Sequence, residues 1–580
     1  MTPFLDVSDS LTGRRWVGPS LEEDRLAEAM ARDARLDRAV ALTLVRRGVG
    51  IGQAAGFLDP KLRDLLPDPL GLRDMGTAAD RLLQAVERRE RIAVFADYDV
   101  DGGASAALLL TWLRGFGLKA TLYIPDRIEE GYGPNEPAMA RLAAGHDLIL
   151  CVDCGTLSHG PIAAAAGADV VVLDHHLGAE TLPACVAVVN PNRQDESGDL
   201  GHLCAAGVVF LLLVEANRRL KALGRPGPDL MAMLDLVALA TVADVAPLTG
   251  VNRALVRSGL LVMARRERPG LAALQDVAGV TAAPSAYHLG YVIGPRINAG
   301  GRVGQADLGA RLLATDDPHE AQALAERLHA HNAERREIEA GVQAAALAQA
   351  EGRGDGPLAW AAGDGWHPGV VGIVAARLKE ATHRPAVVIA LDGDIGKGSA
   401  RSVPGVDIGA AIHRVAAEGL LLRGGGHRMA AGLTVERAKL PAAMERLAEL
   451  LARQGAGAGG PRDLPLDGVL MPKAAQPPLV ETIERAGPFG AAAPSPRFAF
   501  PDLSVSMQRV VGNGHLKLAL ADGMGGRIDA IAFGAAEGPL ARLLPGAGRF
   551  HVAGRLEINT WQGRSSVQLQ LEDAAPAIRR

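Results

Sequence analysis

The stretch VFADYDVDGGAS, residues 94–105, sets Asp97, Asp99 and Asp101 at alternate positions between an apolar run and the pair Gly102-Gly103. Three like charges this close repel one another, so a cation belongs among them, and hard oxygen ligands select a divalent ion. Three further clusters repeat the theme: Asp153 in CVDCG, Asp174-His175-His176 in LDHH, and Asp244 in ATVADVAPL. Carboxylates with imidazole form a mixed oxygen and nitrogen set that suits manganese and admits magnesium or zinc. A carboxylate such as Asp153 between two ions would bridge them, and paired ions about 3.5–4 Å apart are the usual arrangement for phosphoryl hydrolysis. Each cluster alone has an ordinary explanation, a solvated acidic turn or a histidine satisfied by a carbonyl. Their ordered recurrence at the mouth of one predicted sheet has none. Cys151 and Cys154 make a C-x-x-C, but both fall in a predicted buried strand around Asp153, and no second pair follows at zinc-site spacing.

The elements that must position these residues read as strand, turn and helix in repetition from about residue 76. RIAVFADYD is a strand, ASAALLLTWLRGFG a helix closed by Gly117, and KATLYIPDR a strand. HDLILCVDCG is a buried strand, SHGPIAAAAGA a short helix and DVVVLDHH another strand. This alternation predicts a parallel sheet with helices on both faces, where sites lie at the carboxyl ends of strands. Asp317-Pro318 predicts an N-cap and first-turn proline for one long helix over 318–350. EGRGDGPLAW then opens a second α/β unit, RQGAGAGGPRDLP reads as a flexible linker, and the tail alternates short strands and turns as in a small all-β barrel. The expected fold class is α/β, with two α/β domains joined by a long helix and a C-terminal barrel. The expected boundaries are 1–75 for an N-terminal helical segment, 76–317 for the first α/β domain, 318–350 for the helix, 351–455 for the second domain and 464–580 for the barrel.

At 580 residues the chain is too long for one core. Its 48% apolar and 22% charged residues are those of a folded globular protein and exclude a disordered one. Four cysteines fit a reducing compartment, and no segment has the length and apolarity of a leader or membrane span, so a cytoplasmic location is expected. The net charge of −5 gives no pointer to nucleic acid by itself, because acidic and basic groups can occupy different clefts. Aromatics at 3% limit base stacking, so grip on a strand would come mainly through backbone phosphates. The glycines of GGGH, Gly424 to His427, let a backbone approach a phosphate closely, and Arg401 in GKGSARS follows a similar glycine-rich turn.

DYDVDG, VDCG, LDHH and TVADVAPL resemble the successive motifs of the DHH phosphoesterase superfamily. YIPDRIEEGYG, LCAAGVVFLL, GPRINAGGR, WHPGVVGIVAARL, GKGSARS and GGGHRMAAG further resemble its RecJ family of bacterial single-strand-specific 5′-to-3′ DNA exonucleases. The likeness covers about residues 55 to 435 closely and the β-rich tail loosely. It implies a DHH domain, a DHH-associated domain and an oligonucleotide-binding (OB) barrel. It also implies a metal-dependent exonuclease of DNA recombination and repair, with two Mn2+ ions and Mg2+ as a substitute. By position, Asp97, Asp99, Asp101, Asp153, His175 and Asp244 would be metal ligands, and Asp153 and His176 the catalytic residues, with His176 facing the scissile phosphate. Arg127, Arg296, Arg302, Ser399, Arg401, Gly426 and His427 would hold the DNA backbone and its 5′ end. Single-stranded DNA is the implied partner, with a single-strand-binding protein and a recombination helicase beside it, for a monomer with no membrane attachment.

Two departures from the family pattern stand out. Gly103 replaces a commonly hydroxyl-bearing residue, and PFGAAAPSP (residues 488–496) stands where PFGxGNPEP is favoured, which bears on how the barrel docks. Two competing readings differ in class. A small-substrate DHH enzyme, such as a manganese pyrophosphatase or an oligoribonuclease/nucleotide phosphatase, shares the metal motifs but lacks the long helix and third domain. A non-catalytic DNA-binding relative would have no reason to keep mutually repelling carboxylates together.

Overall fold

The structure is a computed structural model that describes residues 3–127, 130–457, 462–561 and 564–577. Residues 128–129 of the YIPDRIEEGYG stretch and 458–461 of the expected linker lie outside the described residues. The chain divides into two compact units, one of Pro67–Ala246 and Ser258–Gly459, the other of Met1–Leu66, Pro247–Arg257 and Gly460–Arg580. No described helix is long and apolar enough to cross a membrane.

In the larger unit, β1 (Ile92–Ala96), β2 (Thr121–Tyr123), β3 (Leu148–Val152), β4 (Asp169–Leu173) and β5 (Ala187–Val189) form an all-parallel sheet in the order β2-β1-β3-β4-β5. Every residue of β1 and β3 is buried, which is why IAVFA and LILCV are apolar without alternation: both faces of the sheet are covered. Helix α1 (Val100–Arg114) begins directly after the acidic turn, and the Asp99 carboxylate caps it by accepting the N–H groups of Asp101 and Gly102. Gly102 has to be glycine, since a Cβ there would lie 2.4 Å from the Asp97 carbonyl oxygen. Helices α2 (Ala205–Ala222), α3 (Leu234–Ala243) and α4 (Gly294–Val303) pack on α1.

The long helix α5 (Pro318–Gly352) is capped by Asp317, whose carboxylate accepts the His319 N–H. Its first half buries Ala321, Leu324, Ala325 and Leu328, and its second half sends Val342, Ala346 and Ala350 into the core of the next lobe. One helix therefore belongs to two cores. That second lobe is built on β6 (Ala359–Asp364), β7 (Ala386–Asp392), β8 (Ile395–Arg401), β9 (Arg423–His427) and β10 (Ala430–Glu436), ordered β9-β10-β8-β7-β6. Only β6 and β7 run parallel. Helix α6 (Val371–Thr382) lies on β7 and β8.

In the smaller unit, β11 (Phe498–Val511), β12 (His515–Ala521), β13 (Arg527–Ala532), β14 (Arg549–Trp561) and β15 (Arg564–Pro576) pair in the order β11-β12-β13-β15-β14, and β14 returns to β11. This is a closed five-stranded barrel, the solution that removes free sheet edges. Of the N-terminal segment expected over 1–75, Met1–Leu66 falls in the same compact unit as the barrel. Strand Arg14–Val17 pairs in parallel with Arg462–Pro465, and the buried Trp16 donates its Nε1–H to Asp573 at 2.8 Å. Helix Arg38–Val45 is buried from Ala39 to Leu44 and shares one core with Phe498, Phe500 and Leu518 of the barrel. A helix with so little polar surface cannot remain solvated alone. The PFGAAAPSP stretch docks inside this unit. The Leu248 N–H donates to Ala491 O at 2.9 Å, Arg47 donates to Pro494 O and lies over the Phe489 ring, and Ala492 takes the left-handed φ of +54°.

Candidate active site

Asp97 follows β1, Asp153 follows β3 and Asp174-His175-His176 follow β4, so three adjacent parallel strands deliver their carboxyl ends to one place. Asp101 sits in the first turn of α1. Asp244 is not at a strand end, as its spacing with the other clusters predicts, but forms the C-cap of α3. The apolar run before it is a buried helix, which periodicity alone does not separate from a buried strand. Ligand atoms of Asp97, Asp99 and Asp153 lie within 4.8 Å of one another, as do those of Asp101, His175 and Asp244, and those of Asp153, His175 and His176. Asp153 and His175 each belong to two of these groups, which joins them into one centre. His175 Nε2 is 3.2 Å from Asp153 Oδ1 and 3.7 Å from Asp101 Oδ2, and its Nδ1 is 3.8 Å from Asp244 Oδ2.

The supports of this centre are mostly invisible in the sequence. Ala205 and Ala206, at the start of α2, donate their N–H groups to the two Asp101 oxygens at 2.7 and 2.8 Å, a helix N-terminus holding a carboxylate. The only signal is an apolar helix that opens at Cys204 with no side-chain cap of its own. Asn298 on α4 accepts the Val100 N–H at 3.0 Å and holds the acidic turn from the other side. Asp174 falls in none of the three ligand groups. Its Oδ2 accepts the N–H and hydroxyl of Thr156, and its Oδ1 accepts the N–H groups of His175 and His176 and lies 2.8 Å from His176 Nδ1. Its work is to orient His176.

Electrostatics separates these roles. Burial, and then the neighbouring carboxylates, push Asp97 and Asp153 well above the usual carboxylate range and Asp244 up to about 8. Burial raises Asp101 as well, against the pull of His175. Asp174 moves the other way: burial opposes its charge, but the hydrogen bonds from His176 and Thr156 hold it below the usual range. Burial lowers His176, and Asp174 outweighs it and lifts the imidazole to about 9. Asp97 Oδ1 and Asp153 Oδ1 are buried and accept no hydrogen bond, although the latter lies close to His175. Buried carboxylate oxygens are satisfied by donors, by protons or by cations. An orphaned oxygen pair within an Asp and His ligand set fits divalent manganese or magnesium.

A cleft of about 580 Å3 opens beside the centre. Arg127 and Arg302 line it from the first lobe, and Lys397, Ser399 and Arg401 from β8. The last three alternate along one strand and so share a face. Ser399 and Arg401 are two of the expected DNA contacts; Lys397 shares their face and is not among them, though GKGSARS carries the period-two signal. Arg302 donates to Gly369 O, and Arg401 to Ser399 Oγ and Ala400 O, all neutral acceptors. Among the described residues none of Arg127, Arg302, Lys397 and Arg401 has a carboxylate within ion-pair distance. Burial, followed by the repulsion of Arg127, lowers both Arg302, to about 10, and Arg401. Mutually repelling cations held by neutral groups suit a phosphate.

The other expected DNA contacts, Arg296, Gly426 and His427, do not line this cleft. Arg296 on α4 donates to Val292 O at 2.6 Å and does not line the cleft. Gly426 and His427 are exposed on β9, also outside it. The need for glycine at 426 is local: its φ is +151°, and a Cβ would meet Ala431 Cα at 2.4 Å.

Comparison with known proteins places this geometry among relatives. The chain matches the DHH family N-terminal domain over residues 91–241, the DHHA1 domain over 341–453 and the RecJ OB domain over 466–573. It is 38% identical to the single-stranded-DNA-specific exonuclease RecJ of Dickeya dadantii, over 90% of this chain and 93% of that protein. With the Escherichia coli protein of the same name the identity is 36%, over 91% and 94%. Among solved structures, Thermus thermophilus RecJ in complex with Mn2+ superposes with a TM-score of 0.81 at 33% identity, over 96% of this chain and 79% of that one. The same protein with Mg2+ gives 0.74 at 32% identity, over 97% and 78%.

Proposed function

The chain belongs to the RecJ family of single-stranded-DNA-specific exonucleases, and from that membership we propose that it hydrolyses the phosphodiester bonds of single-stranded DNA from the 5′ end, with two Mn2+ ions as cofactors and Mg2+ as a substitute. The observation that carries this reading is the adjacency of two complementary needs. Asp97 Oδ1 and Asp153 Oδ1 are buried and accept no hydrogen bond, and the cleft beside them gathers Arg127, Arg302, Lys397 and Arg401, none of which has a carboxylate in ion-pair distance among the described residues.

Asp97, Asp99 and Asp153 would hold one ion, Asp101, His175 and Asp244 the other, with Asp153 between them. When bound, the ions supply Lewis-acid charge that lowers the pKa of an attacking water and offsets the charge developing at phosphorus. The remaining steps belong to side chains. His176, oriented by Asp174 and made more basic by it, would present an N–H to the scissile phosphate. Its ring is fixed because Asp174 is itself fixed by Thr156, whose hydroxyl accepts from Asn190. Arg127, Arg302, Ser399 and Arg401, with Lys397, receive the 5′-terminal phosphate. The barrel extends contact along the strand. On this reading the enzyme works in recombination and repair as a cytoplasmic monomer, beside a single-strand-binding protein and a recombination helicase.

The test is incubation with Mn2+ and single-stranded, duplex and dinucleotide substrates labelled at either end. The expected outcome is early release of the 5′ label from single strands and resistance of the duplex. Preferential consumption of dinucleotides would instead establish the small-substrate phosphoesterase.

A further inference from the structure

Tyr287 and Tyr291 are stacked on each other, ring centroids 5.3 Å apart and planes 26° from parallel, yet they are 63% and 73% exposed. In a chain with 5 tyrosines and 3% aromatic residues, leaving two of them in water needs a reason. Tyr287 precedes and Tyr291 lies within the π-helical stretch His288–Ile293 that leads straight into α4. The wider π turn brings side chains four apart nearly into line, and such turns recur at functional sites. Ser285 fixes the base of the pair, its N–H donating to His288 Nδ1, and the His288 ring sits edge-on to Tyr287.

The glycines in and just after this stretch lie against the elements that carry the metal centre. A Cβ on Gly290 would lie 3.4 Å from Val242, and one on Gly294 would lie 3.3 Å from Ala243 and 3.9 Å from Val100. Farther on, Asn298 holds the Val100 N–H, Gly301 abuts Tyr98, and Arg302 lines the cleft. Read along one axis, the order is arginine cleft, acidic turn, the end of α3 that carries Asp244, and the tyrosine pair. Arg302 and Tyr291 are separated by about 16 Å of helical rise.

We propose that Tyr287 and Tyr291 form a nucleobase-stacking platform for the strand as it leaves the metal centre on the side away from the arginine cleft. A strand with its terminal phosphate in the cleft and a phosphodiester at the carboxylates has its next few bases over this surface. Aromatic faces accept any base, so the platform favours unpaired strands without reading sequence. The inference rests on the exonuclease reading for the identity of the strand.

The experiment is a cycle between protein and base. Binding of the full-length protein to a fluorescent single strand is measured by anisotropy with and without single abasic positions stepped inward from the 5′ end. Y287A/Y291A should weaken binding about tenfold, the worth of about one base–aromatic stack, and raise KM with kcat unchanged. One or two abasic positions should weaken binding to the native chain and to Y287F/Y291F, and have no effect on binding to the alanine variant. Equal losses of affinity on intact and abasic strands, or a fall in kcat alone, would overturn the platform. Binding that follows the abasic pattern without hydrolysis would uphold it while removing the nuclease reading.

Discussion

Asp244→Asn should make the metal-free protein more stable, although it removes a proposed ligand. The carboxyl lies near Asp101 and in the field of Asp99, and burial with those charges raises it to about 8 from an ordinary 3.8. A carboxyl with a raised folded pKa weakens the fold wherever the unfolded chain would release the proton. The penalty starts near pH 4, grows through neutrality and levels off near pH 8. At pH 7 the interval is about three units, worth about 4 kcal/mol at about 1.4 kcal/mol per unit. Asp97, Asp101 and Asp153 share the same repulsion, so relief at one of them returns about half of that, or about 2 kcal/mol. For a unit of this size that is a rise in melting temperature of about 2–3 °C in chelator at pH 7. The assay is thermal unfolding in chelator at pH 4.5 and pH 7.5, then in excess Mn2+. The gain at the lower pH should be about a fifth of that at the higher. In Mn2+ the order should reverse, because an ion at about a hundred times its Kd stabilises the native chain by about 2.7 kcal/mol, and the variant binds it more weakly. A gain independent of pH, or none at pH 7.5, would refute the charge-crowding argument.

Three further outcomes follow from other parts of the molecule. Asp153→Ala should reduce hydrolysis to below about one per cent with the fold retained, since it removes the group shared by two ligand clusters; robust activity in Mn2+ would remove Asp153 from the bridging position. Arg127→Ala and Arg401→Ala should each weaken binding of a 5′-phosphorylated oligonucleotide by about 10- to 100-fold, the loss of a charge-assisted contact of about 1.5–3 kcal/mol. The Mn2+-induced rise in melting temperature should be intact in both, and its loss would assign these arginines to the metal centre instead. Ala492→Gly should stabilise the barrel-containing unit by about 0.5–1 kcal/mol, because alanine at φ +54° carries a strain that glycine does not; a loss of stability in chemical denaturation would show that this turn is not strained.

What the sequence reveals and conceals divides along a physical line. Asp97, Asp153 and His175 are legible because each follows a short apolar run at the end of a strand, and that local pattern carries its own direction. The parallel sheet, the capped helix α5 and the barrel are legible for the same reason, periodicity with punctuation. Asp244 misleads because ALATV fits a buried strand and a buried helix equally well. The amides of Ala205 and Ala206 are hidden since backbone donors have no side-chain signature. Lys397 was within reach, on the same strand face as Ser399 and Arg401. Gly426 and His427 lie outside the cleft, and GGGH spells glycines that let two strands approach in the same way as glycines that cradle an anion. The placement of residues 1–66 with the barrel depends on pairing across almost the whole chain, as between Trp16 and Asp573, and no local pattern announces it.

That last pairing has a consequence in time. Trp16 and its acceptor are 557 residues apart, so at about 5–20 residues per second a ribosome needs roughly half a minute to two minutes to make the second after the first. Throughout that interval Met30, Val40 and Leu42, whose native neighbours include Phe498 and Phe500, have nothing to pack against. The larger unit is fully synthesised within the same interval and can fold first, which shortens the effective loop that the two ends must close. The barrel and its N-terminal helices are therefore assembled after the larger unit, and a nascent chain cut short beyond residue 460 carries an uncovered apolar surface for holdases and proteases to find.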